Sequence, residues 1–262
     1  LTSTGSTSYP TAKTVTANGN AQVDTAQSVF GDASGLFDGN ADYLTMPDSA
    51  DWYFADGAFT IDVWVRFAAL PASGAWATIC SQAPATNSYW DFALTNYSGV
   101  YAWRFELNIN GTVDYTSRTT TVAINTQYHV AVVRNGNTYT IYQDGTSLGS
   151  DTDTRDIPDF AAVLEVGAWR TGDYFNGWLD EVRVSKGIAR WTSNFTPPTA
   201  RYDRDSSTVL LLHMDGADAS TTFLDDVTTG VGYATKATLS NSNATISKLT
   251  VYSHAAGNMR GS

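Results

Sequence analysis

The chain has one cysteine, three histidines, three glutamates and fifteen lysines and arginines in 262 residues. Each scarcity closes off a class of function. With Cys80 alone, no intrachain disulfide can form, and the thiol reads as a small buried hydrophobe. No His/Cys cluster suggests zinc, and no glycine loop suggests a nucleotide. Nucleophilic catalysis needs a histidine beside a nucleophile and an orienting acid. His129 lies inside a strand pattern, His213 inside an apolar run and His254 in a Gly/Ala-rich tail, so each reads as structural. The few basic residues leave a net charge of -11, which repels phosphate backbones and argues against nucleic acid as a partner. No apolar run approaches the ~20 residues of a membrane span, and no signal peptide is recognisable. The first residue is Leu1, as expected of a processed product or a fragment. Four Asn-x-Ser/Thr sites (Asn96, Asn110, Asn194, Asn243) are what chance gives in so turn-rich a composition.

What is abundant points to strands and turns. Of 26 acidic residues only Glu106, Glu165 and Glu181 are glutamates, so the rest are aspartates, which suit turns and calcium. Aromatic residues make up 13% of the chain. Phe59–Phe67 alternates cleanly, with Phe59, Ile61, Val63, Val65 and Phe67 on one face. Val100–Asn110 does the same, with Tyr101, Trp103, Phe105, Leu107 and Ile109 on one face and Ala102, Arg104, Glu106, Asn108 and Asn110 on the other. Further strands are predicted at Ala77–Ser81, Tyr89–Leu94, Gln127–Arg134, Thr138–Gln143, Thr146–Gly149 and Leu164–Ala168, and Asn18-Gly19 reads as a hairpin turn. About a dozen strands with turn signals every ~8–12 residues predict an all-β, two-sheet antiparallel sandwich.

The stretch Gly177–Pro198 (GWLDEVRVSKGIARWTSNFTPP) organises the rest. Strict alternation puts Trp178, Asp180, Val182 and Val184 on one face and Leu179, Glu181, Arg183 and Ser185 on the other. An aspartate on a buried face needs hydrogen-bond donors or a metal.

Taken in order, FDGNADYLTMP, FTIDVWVRF, YHVAVVRNGNTYTIYQDG and GWLDEVRVSKGIARWTSNFTPP resemble the laminin-G-like, concanavalin A-like lectin domains of bacterial surface and phage virion or tail proteins. The resemblance covers roughly residues 14–200 and implies a jelly-roll of two antiparallel sheets. Residues 1–13 then form an extended arm and residues 203–262 a C-terminal extension after a sandwich of 14–202. The fold by itself does not choose among lectins, adhesins, enzymes and spacers.

In such domains a phrase like LLLHFDG forms the first strand. Here it stands late, as Val209–Gly216 (VLLLHMDG). Lys236, Asn241, Asn243, Ala244 and Ile246 echo Lys13, Asn18, Asn20, Ala21 and Val23, each 223 residues on, as at the start of a second repeat. Three arrangements follow. Val209, Leu210, Leu211, Leu212, His213 and Met214 close their own sandwich, or they fill the slot of a neighbouring copy and build a head-to-tail fibre, or the chain is a cut from a tandem array.

The resemblance also bears on sites. Family-16 glycoside hydrolases share the fold and use an E-x-D-x-x-E strand, which none of the three glutamates begins, so no enzyme is expected. Such sandwiches hold a structural Ca²⁺ through an aspartate of the last strand. Asp180 matches it, with Asp38 and Asp215 as candidate co-ligands. A carbohydrate platform would use aromatic rings near loops or strand ends: Trp90, Tyr97, Tyr101, Trp169 and Tyr174. The expectation is a non-enzymatic structural or adhesive subunit of an extracellular, cell-surface or virion-surface fibre, whose partners are copies of itself. The alternative is a monomeric glycan-binding module, and the third reading is a polysaccharide-active enzyme.

Overall fold

The computed structural model describes residues 10–170 and 172–226, all within one compact unit, Leu1–Thr228. The Lys236–Ile246 echo and His254 lie outside the described residues. The described residues carry fifteen strands and one 3-10 turn, Ala50–Trp52, in two antiparallel sheets. The seven-stranded sheet runs β1 (Thr16–Asn18), β4 (Tyr43–Met46), β13 (Leu164–Val166), β6 (Trp76–Ala85), β7 (Ser88–Tyr97), β8 (Val100–Ile109), β9 (Thr112–Thr119). The eight-stranded sheet runs β12 (Thr146–Thr152), β11 (Thr138–Gln143), β10 (Gln127–Asn135), β5 (Phe59–Phe67), β14 (Asn176–Lys186), β3 (Ser34–Asp38), β2 (Gln22–Asp24), with β15 (Thr208–Leu212) also on β14. Asn18-Gly19 is therefore not a hairpin turn: β1 and β2 pair in different sheets, and the chain crosses between them there.

The core is where the alternating apolar faces of the two sheets meet. Phe59, Ile61, Val63, Val65 and Phe67 of β5 face Trp90, Phe92 and Leu94 of β7 and Trp103, Phe105 and Leu107 of β8, all at most 2% exposed. Rings carry much of this contact. Phe54 stacks on Phe59 at 4.5 Å, and Phe105 lies 5.5 Å from Tyr139 and 6.1 Å from Trp90. Cys80 is buried there, as its isolation in the sequence implies.

β14 departs from strict alternation. Opposite β5 it advances from Asp180 to Arg183 while its partner moves only from Trp64 to Asp62, so one residue is extra. Glu181 takes it up with a left-handed φ of 51°, the mark of a β-bulge. Leu179, Val182 and Val184 consequently join the core, while Asp180 and Arg183 share the other side with Asp62. The face division expected from alternation holds on neither side of this bulge as a whole.

β14 is also where the displaced phrase goes. With β5 on one edge, the other edge is divided end to end: β3 pairs Asn176–Leu179 and β15 pairs Val182–Ser185. Val209 to Leu212 are at most 4% exposed. The segment after β15 returns along it. Asp226 N–H donates to Leu211 C=O at 2.8 Å, and the Asp225 carboxylate accepts from Leu211 N–H at 3.1 Å and from Lys13 N–H at 2.7 Å. Val23 N–H donates to Ser220 C=O, and Ala219 N–H to Val23 C=O, both at 2.8 Å. Residues 203–226 thus belong to the sandwich rather than to an extension beyond Tyr202. The phrase occupies its own chain's sheet, the first of the three arrangements.

Candidate functional site

Cross-strand register builds one row across the seven-stranded sheet: Thr16, Thr45, Glu165, Ser81, Asp91, Glu106, Tyr115. Their strand neighbours Leu44, Met46, Leu164, Val166, Cys80, Trp90, Phe92, Phe105 and Leu107 point into the core, so by the period of two the row lies on the opposite, outward face. Directly paired residues place Cβ atoms about 4.5–5.5 Å apart, which makes Asp91 and Glu106 immediate neighbours. Glu165 is two strands, about 10 Å, from Asp91.

Rings close over this row. Trp76, paired with Thr95, and Tyr115, paired with Glu106, both stack on the Arg104 guanidinium, with ring centroids 5.1 and 3.6 Å from its carbon. Arg104 and the Tyr89 hydroxyl both donate to the Glu106 carboxylate. Trp169 meets Tyr89 edge to face at 5.1 Å, and Tyr174 lies 6.3 Å from Tyr43. Trp169 and Gly172 exchange backbone hydrogen bonds of 2.9 Å, and Arg170 N–H donates to Glu165 at 2.6 Å. Arg170 and Asp173 adopt left-handed φ values of 49° and 45°, a conformation that non-glycine residues hold only under such constraint.

Asp91 is 1% and Glu106 4% exposed. Burial, then the neighbouring Glu106, pushes the Asp91 carboxyl well above its usual range, opposed by Arg104. Burial likewise raises Glu165 and Asp173. Three buried polar atoms here have no hydrogen-bond partner: Asp91 Oδ1, Trp169 Nε1 and Arg104 Nε. Unsatisfied buried groups are costly, and these three lie under side chains near the 50%-exposed Tyr115.

The structure divides the five aromatics predicted as a sugar platform. Trp90 is fully buried in the core, its indole N–H bonded to Gln82 at 3.3 Å, and Tyr101 packs against the core. Neither faces outward; both follow the inward phase of their strands. Trp169 and Tyr174 lie in the loop beside the row. Tyr97, 47% exposed, ends β7 on the outward phase. Sequence reasoning missed Trp76, Tyr89, Asp91, Arg104, Glu106 and Tyr115. The polar face of Val100–Asn110 was the available signal for Arg104 and Glu106, but Asp91 comes beside them only through register.

The predicted metal ligands are also divided. Asp180 Oδ2 accepts from Val29 N–H at 2.7 Å, Phe30 N–H at 3.4 Å and Ser34 Oγ at 3.3 Å, while its buried Oδ1 has no partner. Asp215 accepts from Asp32 N–H at 3.1 Å and pairs with Arg201. Burial, with Glu181 and Asp215 nearby, pushes Asp180 up to about 8. Burial pushes its bulge neighbour Glu181 up to about 8 as well, where the carboxylate meets Tyr202 N–H at 2.9 Å and His213 Nδ1 at 2.8 Å. Asp38 is elsewhere: it pairs with Asn176, four residues along β14 and so about 13 Å from Asp180. Among the described residues no group of three or more His, Cys, Asp or Glu side chains is arranged to hold an ion. The donors near Asp180 are hard oxygens, which suits Ca²⁺, but the set comprises Asp180 and Asp215 without Asp38, and Asp215 is already paired with Arg201.

The family model for the concanavalin A-like lectin/glucanases superfamily matches residues 38–191. No curated protein matches significantly. Among solved structures, similarity extends to domain 4 of AbnA, a GH43 extracellular arabinanase from Geobacillus stearothermophilus, in complex with arabinotriose (TM-score 0.52, 17% identity, 68% of this chain and 83% of that one). It extends also to the enzymatically active domain of tailspike protein 2 of bacteriophage CBA120 (0.58, 12%, 82% and 35%). A putative carbohydrate binding protein from Bacteroides ovatus is similar too (0.52, 15%, 79% and 53%). At these identities the likeness is one of fold, and the chain spans only about a third and a half of the last two.

Proposed function

The chain belongs to the concanavalin A-like lectin/glucanase superfamily, and we propose that it is a non-enzymatic, glycan-binding module of an extracellular or virion surface. The observation that carries this is the outward face of the seven-stranded sheet, where the half-exposed Tyr115 ring and Trp76 stack on Arg104 beside the residues Trp169 and Tyr174. Sugars present C–H faces that lie flat on rings and hydroxyl groups that bond to polar groups around them, which suits such a surface. The fold neighbours that hold arabinotriose or are described as carbohydrate binding support the same reading. Binding is favoured over hydrolysis because a general acid must come within hydrogen-bond reach of the glycosidic oxygen, whereas Asp91 and Glu106 are closed over by side chains. Among the described residues no helix is long and apolar enough to cross a membrane.

Tyr115 is 50% exposed, so it can be cut back without opening the core. Tyr115→Ala is expected to weaken binding to an arrayed or titrated glycan about tenfold, from roughly 1–1.5 kcal/mol of lost ring contact. Trp90→Ala should instead lower the melting temperature, since it empties a core position. Unchanged binding in both Tyr115→Ala and Trp76→Ala would reject this face.

Calcium at Asp180 and Asp215 is a second part of the proposal. When bound, the ion would supply positive charge to the buried Asp180 carboxylate, which is met by neutral donors. The residues themselves already tie the segment 29–34 to β14 and to the segment after β15. Excess Ca²⁺ over chelator is expected to raise the melting temperature by about 5–10 °C, the equivalent of ~2.7 kcal/mol at a hundredfold excess over Kd. Asp180→Asn should remove that rise, and an equal rise in the variant would place the ion elsewhere.

The fibre reading keeps one argument, the repeat echo. A strand donated to a neighbour would have to leave the place that β15 holds in its own sheet.

A further inference from the structure

We propose that the outward face of the seven-stranded sheet takes neutral glycans and rejects those bearing carboxylate, sulfate or phosphate groups. The inference rests on the glycan-binding reading above and deepens it.

The face has more carboxyl groups than cations. Glu165, Asp91 and Glu106 lie in one row, and Asp173 is near enough to act on Asp91 electrostatically. The cations facing them are Arg104 and Arg170. Arg104 is committed: it is ion-paired with Glu106 and held between the rings of Trp76 and Tyr115. Arg170 gives its backbone N–H to Glu165 and one guanidinium donor to Ala83 C=O at 3.1 Å. Among the described residues, these two cations face four carboxyl groups, and Arg104 is already paired. The rest of the molecule adds to this, with a net charge of -11.

The hydrogen-bonding inventory points the same way. Carboxylate oxygens outnumber donors along the row. A ligand hydroxyl group supplies a donor as well as an acceptor. A ligand carboxylate group supplies only acceptors and places like charge beside like charge. Specificity of this kind comes from penalising the wrong partner as much as from holding the right one.

The test is a panel of matched pairs: lactose against sialyllactose, galacto- against galacturono-oligosaccharides, and an array containing other neutral and acidic glycans. The expected result is binding among the neutral members, with acidic partners at least about tenfold weaker and the gap narrowing as salt is raised. Asp173→Asn should also narrow the gap, since asparagine tolerates the left-handed backbone there and removes one charge. Acidic glycans binding as tightly as their neutral partners would overturn this inference and leave the glycan-binding reading in place. No glycan of either kind binding would overturn that reading itself.

Discussion

A chain ending at Tyr202 is expected to be unfolded or aggregated under conditions where the full chain is folded. The cut removes β15, whose Leu210 and Leu212 are fully buried in the main core, and Leu211, which packs outward on Tyr202 with Ala12, Phe30 and Trp64 beside it. Cutting one such leucine to alanine costs about 2–5 kcal/mol, and a domain has only about 5–15 kcal/mol to lose. The cut also exposes the β14 edge from Val182 to Ser185, four residues of unpaired backbone bounded by apolar side chains, an open template for aggregation. The N-terminal segment loses its anchors with it, since Lys13, Val23 and Thr25 all bond to residues 218–225. Leu212→Ala, expected to cost about 2–5 kcal/mol by denaturant titration, gives a graded version of the same test. Light scattering and negative-stain microscopy over a range of concentrations separate the two uses of the strand. A monomeric full chain with an aggregating truncation means that β15 closes its own domain. Filaments or ladders from the full chain, lost on truncation, mean that it is passed between copies.

The fold was readable because its strands alternate. Phe59–Phe67 and Val100–Ile109 each show a clean period of two, and the structure buries the predicted face of both. Two kinds of feature escaped that reading. The first is any break in the period: the extra residue at Glu181 inverts the phase of β14 halfway along, and nothing local in LDEVRV announces it. The second is anything created by register. Asp91, Glu106 and Glu165 come from β7, β8 and β13, so no motif within one strand contains them, and a search for two carboxylates on a single strand passes them over. The rings misled for a related reason. Trp90 and Tyr89 are adjacent in sequence and lie on opposite faces, one in the core and one beside Glu106; composition alone does not choose between them. The placement of VLLLHMDG was visible as an anomaly, but its own-chain closure depends on β3 covering only half of the β14 edge.

Replacing Arg183 alone should destabilise the protein more than replacing Arg183 and Asp62 together. The two form a bidentate pair, with Nε and Nη2 each donating to one Asp62 oxygen at 2.9 Å, across the β5–β14 register. Asp62 is fully buried, and His129 Nε2 stands 3.5 Å away under Trp191 and Phe195. The Tyr202 ring lies 4.1 Å from the guanidinium carbon. Burial alone would raise the Asp62 carboxyl; Arg183 and then His129 outweigh it and hold the group down at about 2. A depressed carboxylate contributes stability above its unfolded value of 3.8 and loses it as pH falls through about 2. Arg183→Met strands the Asp62 charge in a dry site, at an expected cost of about 3–5 kcal/mol at neutral pH. The deficit should shrink toward pH 4, where the stranded carboxyl can take up a proton instead. Asp62→Leu with Arg183→Met leaves no charge to strand, and a well-packed apolar pair of similar volume can match a buried ion pair. The double variant should therefore recover most of the loss by denaturant titration at pH 7, with a coupling energy beyond ~1 kcal/mol in the double-mutant cycle. Additive losses would mean that the pair's contribution is packing of the Arg183 stem on Tyr202 and Trp191, and that charge pairing across the bulge is incidental to the fold.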